Sequence, residues 1–535
     1  MSKIRIETSD WLYNAGIVGL CNILENAEVD VLKRNNYIEF DEEELEDFGD
    51  KYFGYLVDKY EKFTTWSQIV SEKSYFETMD RKRILEAVDE ANGKTDAFLK
   101  KINGKVEYMK NKVKSNSYKS AYGLSGDDSL NLELESKNCK KIILKKNQKI
   151  EDVFDDIEKT AKIYVIIAEY LEKNNVKRYI NAKNVMYDAI QPFWSGVNFL
   201  HPLASNSDMY NIATEEFGTN TQKYLNSVNE KAKYNCIQCD RKLNKLSKPD
   251  SYDITCLKGI GVDTGRKSSH FWNHMSDSYI CPVCNLVYGC VPAGFNMISG
   301  QGFFVNENSE VSNLVFINKI ALNRDKSIDQ MEQENYYNIV NIMKSKEVGN
   351  TPKQIGNIQV IKYDSKNSLR PYTFNILAKD KLILIEKNHK ELSKLLNIKV
   401  KTSEGSYINV YYEVLQNVYN NRSQFQLLSK LFRELLNQNT KRTGVIKSIL
   451  TINDNFMKGK GKMVGYKQIE ECQKHGEKLR KAYSNKKAEN KISGISYKLV
   501  NALKTKNTAK FTDTLLHAYM YLGEGVPTVF VEVLK

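Results

Sequence analysis

Two pairs of cysteines, Cys236-Ile237-Gln238-Cys239 and Cys281-Pro282-Val283-Cys284, have the type and spacing that chemistry requires. Two intervening residues let a tight turn aim both sulfurs at one point, and two such turns close a tetrahedron around a metal ion. Four soft thiolates select zinc in a closed, structural site with no position left for substrate. The spacing therefore predicts a structural zinc centre on Cys236, Cys239, Cys281 and Cys284. Cys21, Cys139, Cys256, Cys290 and Cys472 lack ligand-like spacing. Cys256 and Cys290 lie near enough to substitute, but the two pairs already satisfy four-coordination. Disulfides need an oxidising compartment, and Met1–Glu7 offers no apolar core of a secretion signal, so reduced thiols in the cytoplasm are expected.

Other catalytic patterns fall short. Ile260–Ser268 resembles a phosphate loop, but it lacks the first glycine and carries Arg266 where lysine belongs. Gly126-Asp127-Asp128 is explained by a turn. His270 and His274 lie between the Cys pairs, which raises a zinc-containing HNH-type DNA nuclease as the alternative reading. Such an enzyme needs a general-base histidine and a separately placed metal-binding residue. Both histidines fall in one five-residue segment, and none follows the second pair before residue 389. A non-enzyme is the expectation.

The charge is concentrated. The chain of 535 residues carries a formal net charge of +13, and Lys441–Lys510 alone holds eighteen Lys/Arg against five Asp/Glu. The whole excess sits in that segment. A positive field of this density attracts polyanions through counterion release, so nucleic acid is the expected partner. No apolar run reaches membrane-spanning length, and no membrane role is expected.

The elements that must position these residues read as an α+β multidomain protein. The pattern predicts a mixed α/β N-terminal body, an inserted zinc-knuckle subdomain and a C-terminal all-α helical bundle. The expected divisions are 1–204, 205–291, 292–404 and 405–535. Ser9 and Asp10 can cap a first helix with Trp11, Ala15, Val18 and Leu24 at helical spacing. Tyr37–Phe40 reads as a strand, and a helix follows from Phe48. Tyr279–Gly289 reads as strand, knuckle, strand. Further strands are expected at 358–361, 373–377 and 382–385. Between Lys105 and Lys149 the periodicity weakens, and Lys112, Lys114, Asn116 and Lys119 fall in an expected loop. Near the C-terminus, Ile469, Cys472, Gly476, Leu479 and Tyr483 alternate spacings of three and four, a seam that leaves lysines for other faces.

Trp11–Leu20, the segment Gln191-Pro192-Phe193-Trp194-Ser195-Gly196 and the doubled Cys-x-x-Cys together resemble the CXXC-CXXC family of CRISPR-associated proteins, large subunits of type I-B Cascade effector complexes. The resemblance spans most of the chain. It implies a non-catalytic subunit of an RNA-guided surveillance complex that recognises the protospacer-adjacent motif in target DNA. It also implies support of strand opening and recruitment of a helicase-nuclease in antiviral defence. Partners would be CRISPR RNA, target DNA, the backbone and repeat-processing subunits, and that helicase-nuclease, in a prokaryotic cytoplasm. The family's reading loops differ too much for transfer by residue. Side-chain chemistry nominates Lys112, Lys114, Asn116 and Lys119 for the DNA motif, with Asn296 and Gln301 in a glycine-rich stretch as second choice. Lys467, Lys474, Lys478, Arg480 and Lys481 are the candidates for nucleic-acid backbone contact.

Overall fold

A computed structural model describes residues 3–90, 94–145, 148–194, 198–204, 206–227, 230–254, 257, 260, 278–298, 300–308, 310–319, 330, 333, 358–367, 371–437, 443–458 and 466–534. The chain forms two compact units: Met1–Asp325 with Ile361–Thr373, and Lys326–Val360 with Phe374–Lys535. The fold is mixed α/β with helices dominant and the sheets small.

The first unit opens on an antiparallel sheet of β1 (Lys3–Glu7), β2 (Leu32–Arg34) and β3 (Tyr37–Asp41), in the order β1-β3-β2. Its register pairs Ile4 with Phe40 and Ile6 with Ile38, so alternation puts these four side chains on the buried face. Helix α1 (Trp11–Asn26) follows, capped by the Asp10 carboxylate, which accepts from the Leu12 and Tyr13 amides at 2.8 and 3.2 Å. Every residue from Leu12 to Leu24 is buried. A helix covered on all sides is a central strut rather than a surface element.

What covers α1 is backbone. Helices α2 (Phe48–Tyr60), α7 (Pro282–Gly289) and α8 (Val291–Gly294) pack around it. A Cβ at Gly16 would stand 2.2 Å from the Val287 carbonyl oxygen, and one at Gly19 would stand 1.9 Å from that of Cys290. Reciprocally, a Cβ at Gly294 would meet the Ala15 carbonyl oxygen at 2.0 Å. Only glycine permits so close an approach. Helix α2 then satisfies the carbonyls that end α7 and α8. Tyr52 donates to Gly289 at 2.8 Å, Tyr55 to Ala293 at 3.3 Å, and Lys59 and Tyr60 to Phe295 at 3.0 and 3.2 Å.

A second core in the first unit joins α3 (Thr95–Val113), α4 (Asn116–Ser125), α5 (Phe154–Glu172) and α6 (Asn174–Val185). The weakened periodicity expected from Lys105 is a misreading. Phe98, Leu99, Ile102, Val106, Met109 and Val113 form one buried helical stripe, and Ser115 caps the next helix by accepting from the Tyr118 amide. Lys-rich outer faces had masked that stripe.

Strands β8 (Asn296–Ile298), β9 (Gln301–Asn306), β10 (Ile358–Asp364) and β11 (Tyr372–Leu377) lie in the order β11-β10-β9-β8. The expected strand at 382–385 is instead part of helix α9 (Lys379–Lys387). Leu382 and Ile385 are buried at helical spacing, while the intervening Ile383 is 47% exposed, so its β-propensity yields to the packing. The second unit continues through α10 (Phe425–Leu436), α11 (Tyr466–Asn485), α12 (Glu489–Lys504) and α13 (Thr508–Leu522). The buried Tyr483 hydroxyl donates to the Ala518 carbonyl at 2.9 Å, which ties α11 to α13. Among the described residues, no helix is long and apolar enough to cross a membrane.

Two outcomes test this packing. Gly19→Ala should lower the urea midpoint, because overpacking a close-packed core costs about 1–3 kcal/mol and the obstruction here is backbone. Gly123→Ala, which meets nothing within 4 Å in a helix, should leave the midpoint unchanged or raise it. Equal midpoints for the two variants would contradict the contact. Burial lowers the Lys59 ammonium to about 7. The unfolded chain keeps that proton to about 10.4, so stability from this group rises with pH through the window from about 7 to about 10. Lys59→Met should flatten the rise in a denaturation series across that window, and an unaltered slope would refute it.

Candidate metal centre

The first Cys pair lies in the turn of a short hairpin, β4 (Tyr234–Asn235) and β5 (Lys242–Leu243). Within it the Cys236 amide donates to the Arg241 carbonyl at 2.8 Å, and the Asp240 amide donates back to the Cys236 carbonyl at 2.9 Å. Asp240 takes a φ of 59°, the left-handed conformation that closes such a turn. The second pair follows β7 (Tyr279–Ile280), which pairs with β6 (Tyr252–Asp253). The Ile237 amide donates to the Tyr279 carbonyl at 3.1 Å and fastens the two halves together.

The expected strand after Cys281 is a helix. Cys281 is the N-cap of α7, its sulfur accepts from the Cys284 amide at 3.4 Å, and Pro282 stands at the first helical position. Proline suits that position, since its missing N–H would have had no partner there, and its fixed φ is already helical. The helix N-terminus also presents positive potential to the sulfurs, which favours thiolate.

The four sulfurs form a compact cluster. Cys236 and Cys284 are 3.7 Å apart, Cys239 and Cys281 are 3.6 Å apart, and all four ligand atoms lie within 4.8 Å of one another. Sulfurs at about 2.3 Å from a tetrahedral zinc would be separated by about 3.8 Å, and these two edges match that spacing. Cys236, Cys281 and Cys284 are buried, and Cys239 is partly exposed. The Cys236 sulfur accepts from the Cys281 amide at 3.2 Å. The Arg241 guanidinium reaches Cys239 at 3.5 Å and also donates to the Arg5 carbonyl at 2.6 Å. The Tyr13 hydroxyl lies 3.4 Å from the Cys284 sulfur, and Tyr288 donates to Gln238 at 2.8 Å.

The electrostatics suit a bound cation. Hydrogen bonds from Cys236, Cys281 and Cys284 hold the Cys239 thiol far below its ordinary range. Burial pushes Cys281 and Cys284 up, and the neighbouring thiolates push them further. Burial opposes the Arg241 charge, but the thiolates of Cys239, Cys281 and Cys284 overcome it and raise the guanidinium above its usual value. Crowded thiols cannot all ionise without a counter-charge, and a divalent ion supplies it while displacing their protons.

Residues 229–296 match the family model of a CRISPR-associated protein (Cas_CXXC_CXXC). That short span holds both Cys pairs, and it supports a CRISPR-associated protein of the CXXC-CXXC kind. No curated protein and no solved structure matches the chain.

The segment read as an insertion shares its core with the body. Leu286, Val287 and Cys290 are buried in the same cluster as Ile17, Val18 and Cys21. Both flanking segments reach this region. Tyr13 of α1 touches a ligand, Phe193 packs its ring 4.8 Å from that of Phe295, and Trp194 lies 5.4 Å from Phe217. His270, His274 and Cys256 lie outside the described residues.

The DNA-motif candidates scatter. Lys112 lies in the last turn of α3, Lys114 is its C-cap, and Asn116 and Lys119 lie in the start of α4, rather than in an extended loop. Lys112 is half-buried over the Tyr108 ring at 5.4 Å, and Lys119 lies 3.8 Å from Glu133. Lys114 and Asn116 are exposed. Asn296 must be withdrawn as a reader of DNA: it is 0% exposed, and its amide donates to the Asn318 carbonyl at 3.0 Å. Gln301 is half-buried and donates to Asp364 at 3.4 Å. By contrast, Lys467, Lys474, Lys478, Arg480 and Lys481 are all exposed along α11. Sequence reasoning missed Tyr13 and Arg241 as partners of the sulfurs. Arg241 had a local signal, two residues beyond Cys239, whereas Tyr13 is 271 positions from Cys284.

Replacing Cys281 and Cys284 together by serine should abolish bound metal, measured by elemental analysis of the purified chain. It should also lower the thermal midpoint, because metal-binding energy at such a site is folding energy. Retained stoichiometric metal in that variant would refute the four-thiol centre.

Proposed function

We propose that this chain is the non-catalytic large subunit of a type I-B RNA-guided surveillance complex, with the four-cysteine centre holding structural zinc. The observation that carries the reading is that the matched segment is not a detached finger. Trp11–Leu20 and Gln191–Trp194 pack on it, so the segments that resemble the CXXC-CXXC family form one structural neighbourhood. Four thiolates on one ion leave no coordination position for a substrate or an activated water, which supports a brace rather than a catalytic metal.

In this role guide RNA supplies sequence specificity by base pairing, while the protein reads a short duplex element and backbone shape. Lys114 and Asn116 are the remaining solvent-facing candidates for contact with the duplex motif; among the described residues neither forms an ion pair or sits on an aromatic ring. The exposed cations of α11 suit phosphate contact, because Lys474, Lys478 and Lys481 recur at helical spacing with Arg480 beside them. The other subunits and a helicase-nuclease would assemble around this one to open and degrade target DNA.

Neutralising Lys474, Lys478, Arg480 and Lys481 to glutamine should flatten the salt dependence of duplex binding. Each lost phosphate contact removes about 0.9 from the log–log slope. An unchanged slope would reject the assignment of α11. Plasmid cleavage by the purified chain with Mg²⁺ or Mn²⁺, abolished by His274→Ala, would replace the reading with the nuclease alternative.

A further inference from the structure

We propose that the cleft between α10 and α12 in the second unit seats one nucleotide of a single nucleic-acid strand. The inference rests on the reading of this unit as a nucleic-acid-binding one, and it identifies where an unpaired base would go. The cleft has a volume of about 310 Å³. Helix α10 contributes Arg433 and Leu436, with Asn437 at its C-cap, at i, i+3 and i+4. Helix α12 contributes Tyr497, Val500, Asn501 and Lys504 at i, i+3, i+4 and i+7, so each helix turns one face into the cleft.

Among the described residues, the polar side chains there have no partner within the protein. Among the described residues, neither Arg433 nor Lys504 has an ion-pair partner, and the side chains of Asn437, Asn501 and Tyr497 make no hydrogen bond. The adjacent carboxylate, Glu434, is buried and engaged by Ser403, whose amide and hydroxyl donate to it at 3.0 and 3.1 Å. Among the described residues, no acid pairs with Arg433 or Lys504. Tyr497 is 64% exposed, an aromatic left in water beside the Arg433 and Lys504 cations.

This set matches the parts of a nucleotide. An aromatic face stacks any base, cations hold the flanking phosphates, and paired amides reach base edges or a ribose hydroxyl. Leu436 and Val500 supply apolar walls that exclude water from the stacked base. A duplex keeps its bases stacked on one another and cannot offer a free face, so the cleft should favour single strands. The basic segment 441–510 that contains α12 supplies the field that draws a polyanion to it.

Fluorescence anisotropy of the full chain with labelled oligo-dT, oligo-rU and a duplex tests the proposal. Tyr497→Ala should weaken single-strand binding by about five-fold or more, while Tyr497→Phe should retain it and duplex affinity should stay unchanged. Arg433→Gln with Lys504→Gln should lower the single-strand salt slope by about 0.7 per lost contact. Equal affinity for the two oligomers would assign the cleft to phosphate and base face alone. A preference for oligo-rU lost in Asn437→Ala and Asn501→Ala would add recognition of the ribose hydroxyl. The cleft assignment is overturned if Tyr497→Ala leaves single-strand binding intact or weakens strand and duplex alike. If the α11 variant flattens the slope while the cleft variants do nothing, the cleft alone is wrong. If neither matters, the nucleic-acid reading of the unit falls with it.

Discussion

The contact of α1 with the backbone of α7 and α8 is the constraint on which the first unit depends. Gly16, Gly19 and Gly294 let three main-chain segments meet at distances no side chain would allow. Once that contact is made, the position of α7 is fixed, and with it the two cysteines at its first turn. Tyr13, one turn before Gly16 on the same helix, is then brought to the Cys284 sulfur. The same approach leaves the terminal carbonyls of α7 and α8 facing α2, which supplies tyrosine hydroxyls and one lysine to satisfy them. Helix packing and ligand placement are thus one arrangement seen from two sides.

A metal held by these cysteines would act on the main core of the first unit. The sulfurs belong to the main hydrophobic core, so the ion would bridge the β4–β5 hairpin to a buried helix rather than close a peripheral loop. The groups around the sulfurs divide the remaining work. The Cys281 and Cys284 amides at the start of α7 donate to sulfur, the first of them to Cys236 of the hairpin, and Arg241 compensates the charge on the one partly exposed ligand. Such outer partners orient ligands and shield them, which favours a persistent centre.

How much of this could be read from the chain depends on the range of the interaction. The two Cys pairs were legible because a four-residue turn fixes both sulfurs locally, and the Asp10 cap of α1 was legible for the same reason. The α3 stripe from Phe98 to Val113 was obscured by the lysines between its apolar positions, although helical spacing was present throughout. Leu382–Ile385 looked like a strand because four apolar residues in a row have no visible period, and burial of Leu382 and Ile385 settles the matter only in three dimensions. Cys281 as a helix cap was foreshadowed by Pro282, but Val283, Val287 and Tyr288 favoured a strand by propensity. Asn296 shows the limit most clearly. Glycines around it suggested an open approach for DNA, whereas Gly302 in fact accommodates the Met297 side chain, and Asn296 points into the protein.

The distribution of charge carries a final argument. On α11 Tyr483 is buried and Ile469, Cys472 and Leu479 are half-buried, while Gly476 and the cations Lys467, Lys474, Lys478, Arg480 and Lys481 are exposed. Core formation needs only the seam. Glu471 and Glu477 interrupt the lysines on the outer face but leave it net positive, and excess like charge works against the compact unit. Acidic residues were plainly available, since the rest of the chain is balanced. The second unit keeps a basic face that its own folding does not need. A polyanion bound along that face would relieve such repulsion.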